Sequence, residues 1–343
     1  MSEPVPTTPP AVAPEAAPHA MSSLAKRVLV AIVGIPFILL ITWVGGWPFT
    51  LLAFTILLGA CGEFAALWPE VDDWANFGPA IGVALVLISS HAPSSDVPVW
   101  LGIATGAFVI VGAATLTWRY APLTRFPAQM VTGLFVAPIT AVGFWTESVP
   151  SSTVHMSLGL IVLVAMAVRL FVRHDVRGAA HRMGLLSLTV LYLLLPIALW
   201  MDLRNGPNGR ALCLFAFAVV WSTDTTAFFT GRAIGRHPFS PISPKKTWEG
   251  TIGGIVGGGV CGLVAGLLSD AMPLEEWVAM GFVMSLLAIL GDLFESALKR
   301  DAGVKDSGTL LPGHGGVLDR FDSLLFAAPA IWVWVQWANA KIP

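Results

Sequence analysis

Three polar segments in the last third of the chain contain the residues whose types could do chemistry. The first surrounds Asp224, the second contains the pair Lys245 and Lys246, and the third extends from Asp292 to Asp322. Aspartate oxygens are ligands that Mg²⁺ prefers, whereas lysine and arginine side chains bind phosphate groups. If the three segments meet in space, their side chains suit a divalent cation together with a polyphosphate.

The composition indicates which elements must position these segments. Of the 343 residues, 55% are hydrophobic and only 12% are charged, and the mean hydropathy is +0.76. Soluble domains carry about 25% charged residues, so the composition argues against an ordinary water-soluble enzyme. We therefore predict an all-α, polytopic integral membrane protein with the lipid bilayer as its surroundings.

Charge and cysteine content exclude further classes of protein. The formal net charge of −2 lacks the overall basicity of a nucleic-acid-binding protein, so we expect no nucleic-acid partner. The 3 cysteines lie inside apolar runs, without the spacing of a disulfide framework or a zinc site. We interpret them as buried neutral thiols.

Hydropathy predicts about 9–11 membrane helices, because about 20 apolar residues cross the hydrocarbon core. The candidate spans are 28–44, 48–68, 78–91, 98–118, 128–147, 154–172, 184–201, 211–230, 251–269, 275–293 and 324–339. Residues 1–23 are rich in Pro, Ala and Ser and are predicted to form a disordered tail. The rest divides into N-terminal and middle helices at 24–183 and a C-terminal catalytic region at 184–343.

The distribution of basic residues predicts the orientation in the membrane. Loops rich in lysine and arginine stay in the cytoplasm, and here they alternate along the chain. About eleven spans that start inside place these loops, and with them the three polar segments, on the cytoplasmic face. Arg204 and Arg210 are exceptions, because they fall in an outer loop. We predict a protein of the cell (inner or plasma) membrane whose active site faces the cytoplasm.

Two local patterns bear on phosphate binding. The spans that follow Lys246 and Asp322 begin at the cytoplasmic face, and helix N-termini offer N–H groups and a partial positive charge to phosphate. The glycines of the first of these spans recur every four residues, at Gly250, Gly254, Gly258 and Gly262. Such rows are typical of close helix packing, which we favour over a ligand role.

Structural interpretations compete with functional ones at several positions. Lys245 and Lys246 suit a topological signal as well as phosphate binding. Pairing of Asp224 with an arginine would hold helices together. Asp322 suits the N-cap of the last helix, a role compatible with metal binding. His314 suits either a hydrogen bond within a tight turn or, as we favour, a contact with a ligand.

The segment at 296–322 strongly resembles the signature of the phosphatidate cytidylyltransferase (CDP-diacylglycerol synthase) family. The matching residues are Ser296, Lys299, Arg300, Lys305, Asp306, Gly308, Pro312, His314, Gly315, Gly316, Asp319, Arg320 and Asp322. The sequence Ser-Pro-Lys-Lys-Thr-x-Glu-Gly at 243–250 and the Asp-Thr pair at 224–225 are also similar to that family. The resemblance covers about 185–340 and rests on hydropathy alone before that.

The resemblance implies that CTP and phosphatidic acid are converted to CDP-diacylglycerol and pyrophosphate with Mg²⁺ or another divalent cation, and it suggests a homodimer. The expected catalytic residues are Asp224, Asp292, Lys245, Lys246 and Asp319. The expected metal ligands are Asp224, Asp292, Asp319 and Asp322. The expected substrate-binding residues are Lys299, Arg300, Lys305, His314 and Arg320. Because the second pKa of a phosphate monoester is about 6, the lipid phosphate is already anionic and needs no strong base.

Two other functions remain open at this point. A CTP-dependent kinase of a membrane lipid alcohol would share the metal and nucleotide site but release CDP instead of pyrophosphate. A transporter would place charges near the middle of its spans and show repeated halves. In this sequence the charges lie at one face and no repeat is found, so the transporter ranks below both enzymes.

Overall fold

The computed structural model describes residues 23–68, 178–310 and 315–341, and its regular elements are helices. In chain order they are α1 (Ser23–Val44), α2 (Gly46–Ala66), α3 (Ala179–Leu188), α4 (Leu195–Asn205), α5 (Gly209–Ile234), α6 (Trp248–Leu268), α7 (Leu274–Asp301) and α8 (Leu318–Lys341). A π-helical turn, Thr189–Leu194, joins α3 to α4. The all-α prediction is confirmed for this part of the chain.

Five helical stretches within these ranges are long and apolar enough to cross a membrane. They are Pro48–Ala66, Met183–Asn205, Gly209–Ile234, Trp248–Leu268 and Leu274–Asp301. Each corresponds to a predicted span, and the prediction of a polytopic integral membrane protein is confirmed. The tail at 1–22, the predicted spans between 78 and 172, and His314 lie outside the described residues.

The helices extend beyond the predicted spans at their polar ends. α5 continues to Ile234 instead of ending at 230, α7 continues to Asp301 instead of 293, and α8 begins at Leu318 instead of 324. A hydropathy span stops at charged residues, but helical hydrogen bonding continues through them. Asp224 and Asp292 therefore lie inside their helices, about two and a half turns before the ends.

α6 packs between α5 and α7 through its glycines. A Cβ on Gly254 would lie 3.0 Å from the carbonyl oxygen of Thr223 on α5, and one on Gly258 would collide with Ser285 on α7. The missing side chains let the helix backbones approach closely, which confirms the packing role of the glycine row. The outer surface of α6 exposes Ile252, Val256, Val260, Leu263 and Leu267. Such a surface suits contact with lipid tails.

Arg204 and Arg210, the exceptions to the charge pattern, fasten α1 to the bundle. Arg204 donates hydrogen bonds to the carbonyl oxygens of Thr42 at 2.6 Å and Trp43 at 3.0 Å, both in the last turn of α1. Arg210 lies over the ring of Trp43, 4.7 Å from its centroid. Cationic side chains commonly satisfy the last carbonyls of a helix, so these arginines have a structural role.

Candidate active site

The three polar segments meet at one end of the helical bundle. Because α5 to α8 run alternately up and down, the C-terminal halves of α5 and α7 lie beside the first turns of α6 and α8. Asp224 lies within electrostatic range of Asp292, Lys246 and Arg320. Asp322 lies within range of Asp224 and Asp292. The structure thus brings together residues from all three segments.

The loop between α5 and α6 is a short hairpin that positions Lys246. The N–H of Phe239 donates to the carbonyl oxygen of Lys246 at 2.8 Å, and the N–H of Lys246 donates to the carbonyl oxygen of Ser243 at 3.0 Å. With its backbone fixed in this way, Lys246 forms an ion pair with Asp292 of α7. Its neighbour Lys245 is exposed. Of the two predicted lysines, Lys246 is the one that contacts a carboxylate of the site.

The first turn of α6 is capped by protein groups. Thr247 Oγ1 accepts a hydrogen bond from the N–H of Gly250 at 3.1 Å. The Glu249 carboxylate folds back onto the hairpin, where it accepts from the N–H of Arg236 at 3.1 Å and lies 2.6 Å from His237 Nδ1. Thr247 therefore occupies one of the N–H groups that we expected to be open to phosphate.

One face of α7 carries the polar residues of the site. Asp292, Glu295, Ser296 and Lys299 recur at intervals of three and four residues, which places them on the same face of a helix. Ser296 Oγ donates to Asp292 Oδ1 at 3.3 Å. The side chain of Asp292 is 33% exposed, whereas that of Glu295 is only 1% exposed. The accessible part of this face is therefore the part around Asp292.

Lys299 lies buried between two carboxylates. Its Nζ is 2.6 Å from Glu295 Oε2 and 2.6 Å from Asp319 Oδ1. A buried ammonium group requires such partners, since desolvation of an unpaired charge is costly. Lys299 therefore joins α7 to α8 in this structure, and its predicted contact with substrate stays a prediction.

Asp319 holds the loop between α7 and α8. Its Oδ2 accepts the N–H groups of Ser307 at 3.1 Å and Gly316 at 2.8 Å, while Oδ1 accepts from Lys299. Burial by itself would raise the pKa of the Asp319 carboxyl, but the hydrogen bonds from Lys299 and Gly316 outweigh burial and lower the pKa below its usual value. Both oxygens of this predicted metal ligand are engaged within the protein.

Asp322 is a buried residue of α8. Its Oδ1 accepts the N–H of Ser323 at 2.6 Å. Because α8 begins at Leu318, Asp322 lies in the second turn of the helix, and the N-cap interpretation is wrong. The Asp322 carboxylate lies within electrostatic range of Asp292 on α7.

The remaining cationic candidates lie on the surface of this end of the bundle. Lys305 and Arg320 are exposed. Arg300 is also exposed, and its Nη1 donates to the carbonyl oxygen of Val304 at 2.9 Å, beyond the end of α7. Their contact with substrate stays a prediction.

Asp224, Asp292 and Asp322 are the carboxylates that fit a divalent cation. Across 23–68, 178–310 and 315–341, no group of three potential ligand side chains forms a ready-made metal cluster. Mg²⁺ is usually held by one or two carboxylates together with substrate phosphates, and it does not need a complete protein cage. The exposed Asp224 and the accessible Asp292 fit that mode, because their hard oxygen atoms come from neighbouring helices within range of each other.

An apolar cavity of about 820 Å³ lies beside these carboxylates, among the π-helical turn, α7 and α8. Tyr192 lines it, and the ring centroid of Tyr192 is 5.0 Å from that of Phe294 and 6.0 Å from that of Phe326. The buried Tyr192 hydroxyl has no hydrogen-bond partner among the described residues and lies within electrostatic range of Asp322. The cavity therefore borders the polar site at Tyr192, a residue that the sequence analysis missed.

The sequence model of the Cytidylyltransferase family matches residues 80–338. This range covers most of the chain and contains all the candidate residues from Asp224 to Asp322. The chain belongs to the cytidylyltransferase family. The resemblance noted in the signature segment is thereby confirmed.

Individual relatives extend the similarity to this cytidylyltransferase-family protein along almost the whole chain. A phosphatidate cytidylyltransferase of Synechocystis sp. is 33% identical over 313 residues, which cover 90% of this chain and 96% of the relative. A phosphatidate cytidylyltransferase of Brucella abortus is 32% identical over 317 residues, with 91% and 93% covered. One of Staphylococcus aureus is 45% identical over 127 residues, with 36% and 48% covered.

One carboxylate of this family member lies before the matched range and was not predicted. Glu63 of α2 is 8% exposed and accepts hydrogen bonds from Ser307, Val317 and Leu318, all within the signature segment. A single acidic residue inside an apolar run was the only signal in the sequence. Nothing in one sequence indicates which distant segment such a residue contacts.

Proposed function

We propose that the protein transfers the cytidylyl group of CTP to phosphatidic acid, giving CDP-diacylglycerol and pyrophosphate. The observation that carries this proposal is the 33% identity to a phosphatidate cytidylyltransferase over almost the full length of both chains. The site supports it chemically, because carboxylates and exposed cations lie at one end of membrane helices, beside an apolar cavity.

The reaction requires two anions to meet. An oxygen of the lipid phosphate attacks the α-phosphorus of CTP, a new P–O bond forms, and the bond between the α-phosphorus and the bridging oxygen of the β-phosphate breaks. Pyrophosphate then leaves with the bond electrons. Because the lipid phosphate is largely deprotonated near neutral pH, the protein needs to supply electrostatic stabilisation more than a general base.

The location of each residue determines which part of the substrates or the metal we assign to it. Asp224 and Asp292, with Asp322 behind them, would hold Mg²⁺, which when bound neutralises phosphate charge and stabilises the leaving pyrophosphate. Lys246, which pairs with Asp292, would contact the phosphates nearest the metal ligands. The exposed Lys305 and Arg320 suit the outer phosphates of CTP. Lys245, Arg300 and His314 remain candidates for substrate contact.

The apolar cavity suits the acyl chains of phosphatidic acid. Its walls come from apolar residues of α7, α8 and the π-helical turn, and its polar border is at Tyr192. A lipid whose chains fill the cavity would bring its phosphate to the carboxylate end of the bundle. The Tyr192 hydroxyl, which is buried and unpartnered among the described residues, would donate its hydrogen bond to the headgroup once lipid entry uncovers it.

Label transfer distinguishes this reaction from the lipid kinase. Purified protein in detergent should transfer label from [α-³²P]CTP into phosphatidic acid in the presence of Mg²⁺, and label from [γ-³²P]CTP should appear in pyrophosphate. Transfer of the γ label to a lipid, with CDP as the nucleotide product, would contradict the proposal. Omission of Mg²⁺ with added EDTA should abolish the transfer.

The orientation and oligomeric state are part of the proposal. The basic loops support a cytoplasmic active site. Cysteines at Pro241 and Asp306, both exposed, should resist an impermeant thiol reagent in intact cells and react in inverted vesicles. Ser307 is unsuitable as a reporter because it is only 6% exposed. Labelling of the two cysteines from opposite sides of the membrane would contradict a shared cytoplasmic site.

Light scattering in detergent should give the mass of the homodimer that the family resemblance suggests. A monomer mass would contradict this part of the proposal.

A further inference from the structure

Glu63 connects the first pair of helices to the signature segment of the candidate site. We propose that Glu63 is a positioning residue: its carboxylate fixes the signature loop, defined here as 302–310 with 315–317, so that Lys305 of the loop and Arg320 of the adjoining α8 can contact CTP. This inference rests on the proposed function and assigns a role in the reaction to α2.

Three hydrogen bonds support this role. Glu63 Oε1 accepts from the N–H of Val317 at 2.8 Å, and Oε2 accepts from the N–H of Leu318 at 2.9 Å and from Ser307 Oγ at 3.1 Å. Val317 and Leu318 are at the start of α8, where N–H groups lack partners within the helix. A carboxylate at this positive helix end is electrostatically favoured. Glu63 thus caps a helix that begins about 250 residues later.

Two glycines of the signature provide independent support. A Cβ on Gly308 would lie 2.6 Å from Glu63 Oε1, and a Cβ on Gly316 would collide with the same carboxylate. Real Cβ atoms do not approach other atoms so closely. One turn earlier on α2, a Cβ on Gly59 would lie 3.1 Å from Val317. The space that these glycines leave open is therefore the space that α2 and its carboxylate occupy.

Two carboxylates hold the loop at Ser307, and they belong to Glu63 and Asp319. Ser307 donates its backbone N–H to Asp319 and its hydroxyl to Glu63. Asp319 is fixed in turn by Lys299. Lys305 lies on this loop, and Arg320 lies in the first turn of α8, two residues after the last N–H group that Glu63 binds. Loss of Glu63 should therefore displace the cations proposed for the phosphates of CTP, while the apolar cavity keeps its walls.

The first test compares Glu63→Gln with Glu276→Gln in the full-length protein. Glu276 is a matched control, because it accepts a hydrogen bond from Trp334 of α8 at 3.1 Å, far from the signature loop. The introduced amide has one acceptor oxygen for three donors, so we expect the KM for CTP to rise about tenfold or more, with the KM for phosphatidic acid within about twofold. Glu276→Gln should leave the KM for CTP unchanged, and only this KM is compared because Trp334 also lines the apolar cavity. Equal rises in both KM values, or no rise, would overturn the proposal.

Hydrogen–deuterium exchange provides a readout that does not depend on activity. In Glu63→Gln, exchange should become faster at 303–310 and at 315–318 and stay unchanged in α5 and α6. If wild-type protein has no cytidylyltransferase activity, the proposed function fails while this exchange result still tests the contact. Exchange that rises throughout the bundle would overturn a specific positioning role.

A double substitution tests the contact itself. Gly308→Ala should disturb the loop when Glu63 is present, because the methyl group meets its carboxylate. In a Glu63→Ala background that methyl group has room, so Gly308→Ala should add little to the loss of CTP affinity. Residues in contact show such non-additive effects. Fully additive effects would overturn the assignment.

Discussion

The two ends of the helical bundle use charged residues differently. At the end that contains the turn between α4 and α5, several charged residues each have a separate structural partner. Arg204 binds the last carbonyls of α1. Trp332 Nε1 donates to Asp202 at 2.5 Å, and Trp334 Nε1 donates to Glu276 at 3.1 Å. At this end, each of these charged residues joins its own helix to one neighbouring helix.

At the other end, carboxylates lie within range of one another. Asp224, Asp292 and Asp322 come from three helices, and Lys246 is paired with only one of them. Like charges gathered in partly buried positions destabilise a fold unless a ligand neutralises them. We therefore propose that the second end, although Lys299 also joins helices there, is the one that binds a cation and phosphates.

The largest expected difference between the two ends is the difference in kcat between Asp292→Asn and Asp270→Asn. Asp270 is an exposed residue in the turn between α6 and α7, at the first end. If Asp292 holds Mg²⁺ against CTP, its loss should lower kcat on the order of 10²–10³-fold, as for removal of one preorganised electrostatic group. Asp270→Asn should change kcat little. Steady-state kinetics at saturating substrates give the comparison, and near-wild-type turnover of Asp292→Asn would remove it from the site.

The next effect separates the two adjacent lysines. Lys246 is paired with Asp292, whereas Lys245 is exposed. Lys246→Met should lower kcat/KM for CTP about 10- to 100-fold, the range for loss of a charged hydrogen bond, and Lys245→Met should lower it less. Initial-rate measurements at several CTP concentrations test this order. A larger effect at Lys245 would mean that the ion pair with Asp292 has no part in substrate binding.

A smaller effect is expected at the border between the cavity and the carboxylates. Tyr192→Phe removes one hydroxyl and leaves the aromatic contacts in place. The KM for phosphatidic acid should rise about 3- to 10-fold, as for a single neutral hydrogen bond, while the KM for CTP stays the same. Kinetics in mixed micelles of varied lipid content measure both. A change in the CTP value alone would contradict the placement of the lipid in the cavity.

The smallest effect concerns the N-terminal tail. Residues 1–20 have little apolar surface, and no candidate catalytic residue lies among them. Their deletion should leave specific activity within about twofold of the full-length protein. Activity assays on equal amounts of purified protein test this prediction, and a much larger loss would indicate that the tail contacts the site.

The sequence was sufficient to predict the fold class and to predict that the three polar segments lie close together. Apolar runs identify membrane helices, and their alternation brings Asp224, Lys246 and Asp292 to one end. The predicted helix ends were wrong because a hydropathy span ends at charged residues, whereas the helix continues through them. The burial of Lys299 between two carboxylates and the contact of Glu63 with the signature depend on tertiary packing, which one sequence does not contain.

Binding of Mn²⁺ tests the central claim most directly, because Mn²⁺ can replace Mg²⁺ and is visible by electron paramagnetic resonance. Titrations in the presence of a non-hydrolysable CTP analogue would compare wild-type protein with Asp224→Asn, Asp292→Asn and Asp270→Asn. We expect the affinity for Mn²⁺ to fall about tenfold or more in Asp224→Asn and Asp292→Asn, and to stay at the wild-type value in Asp270→Asn. Equal affinities in all four proteins would contradict the assignment of the metal to this end of the bundle.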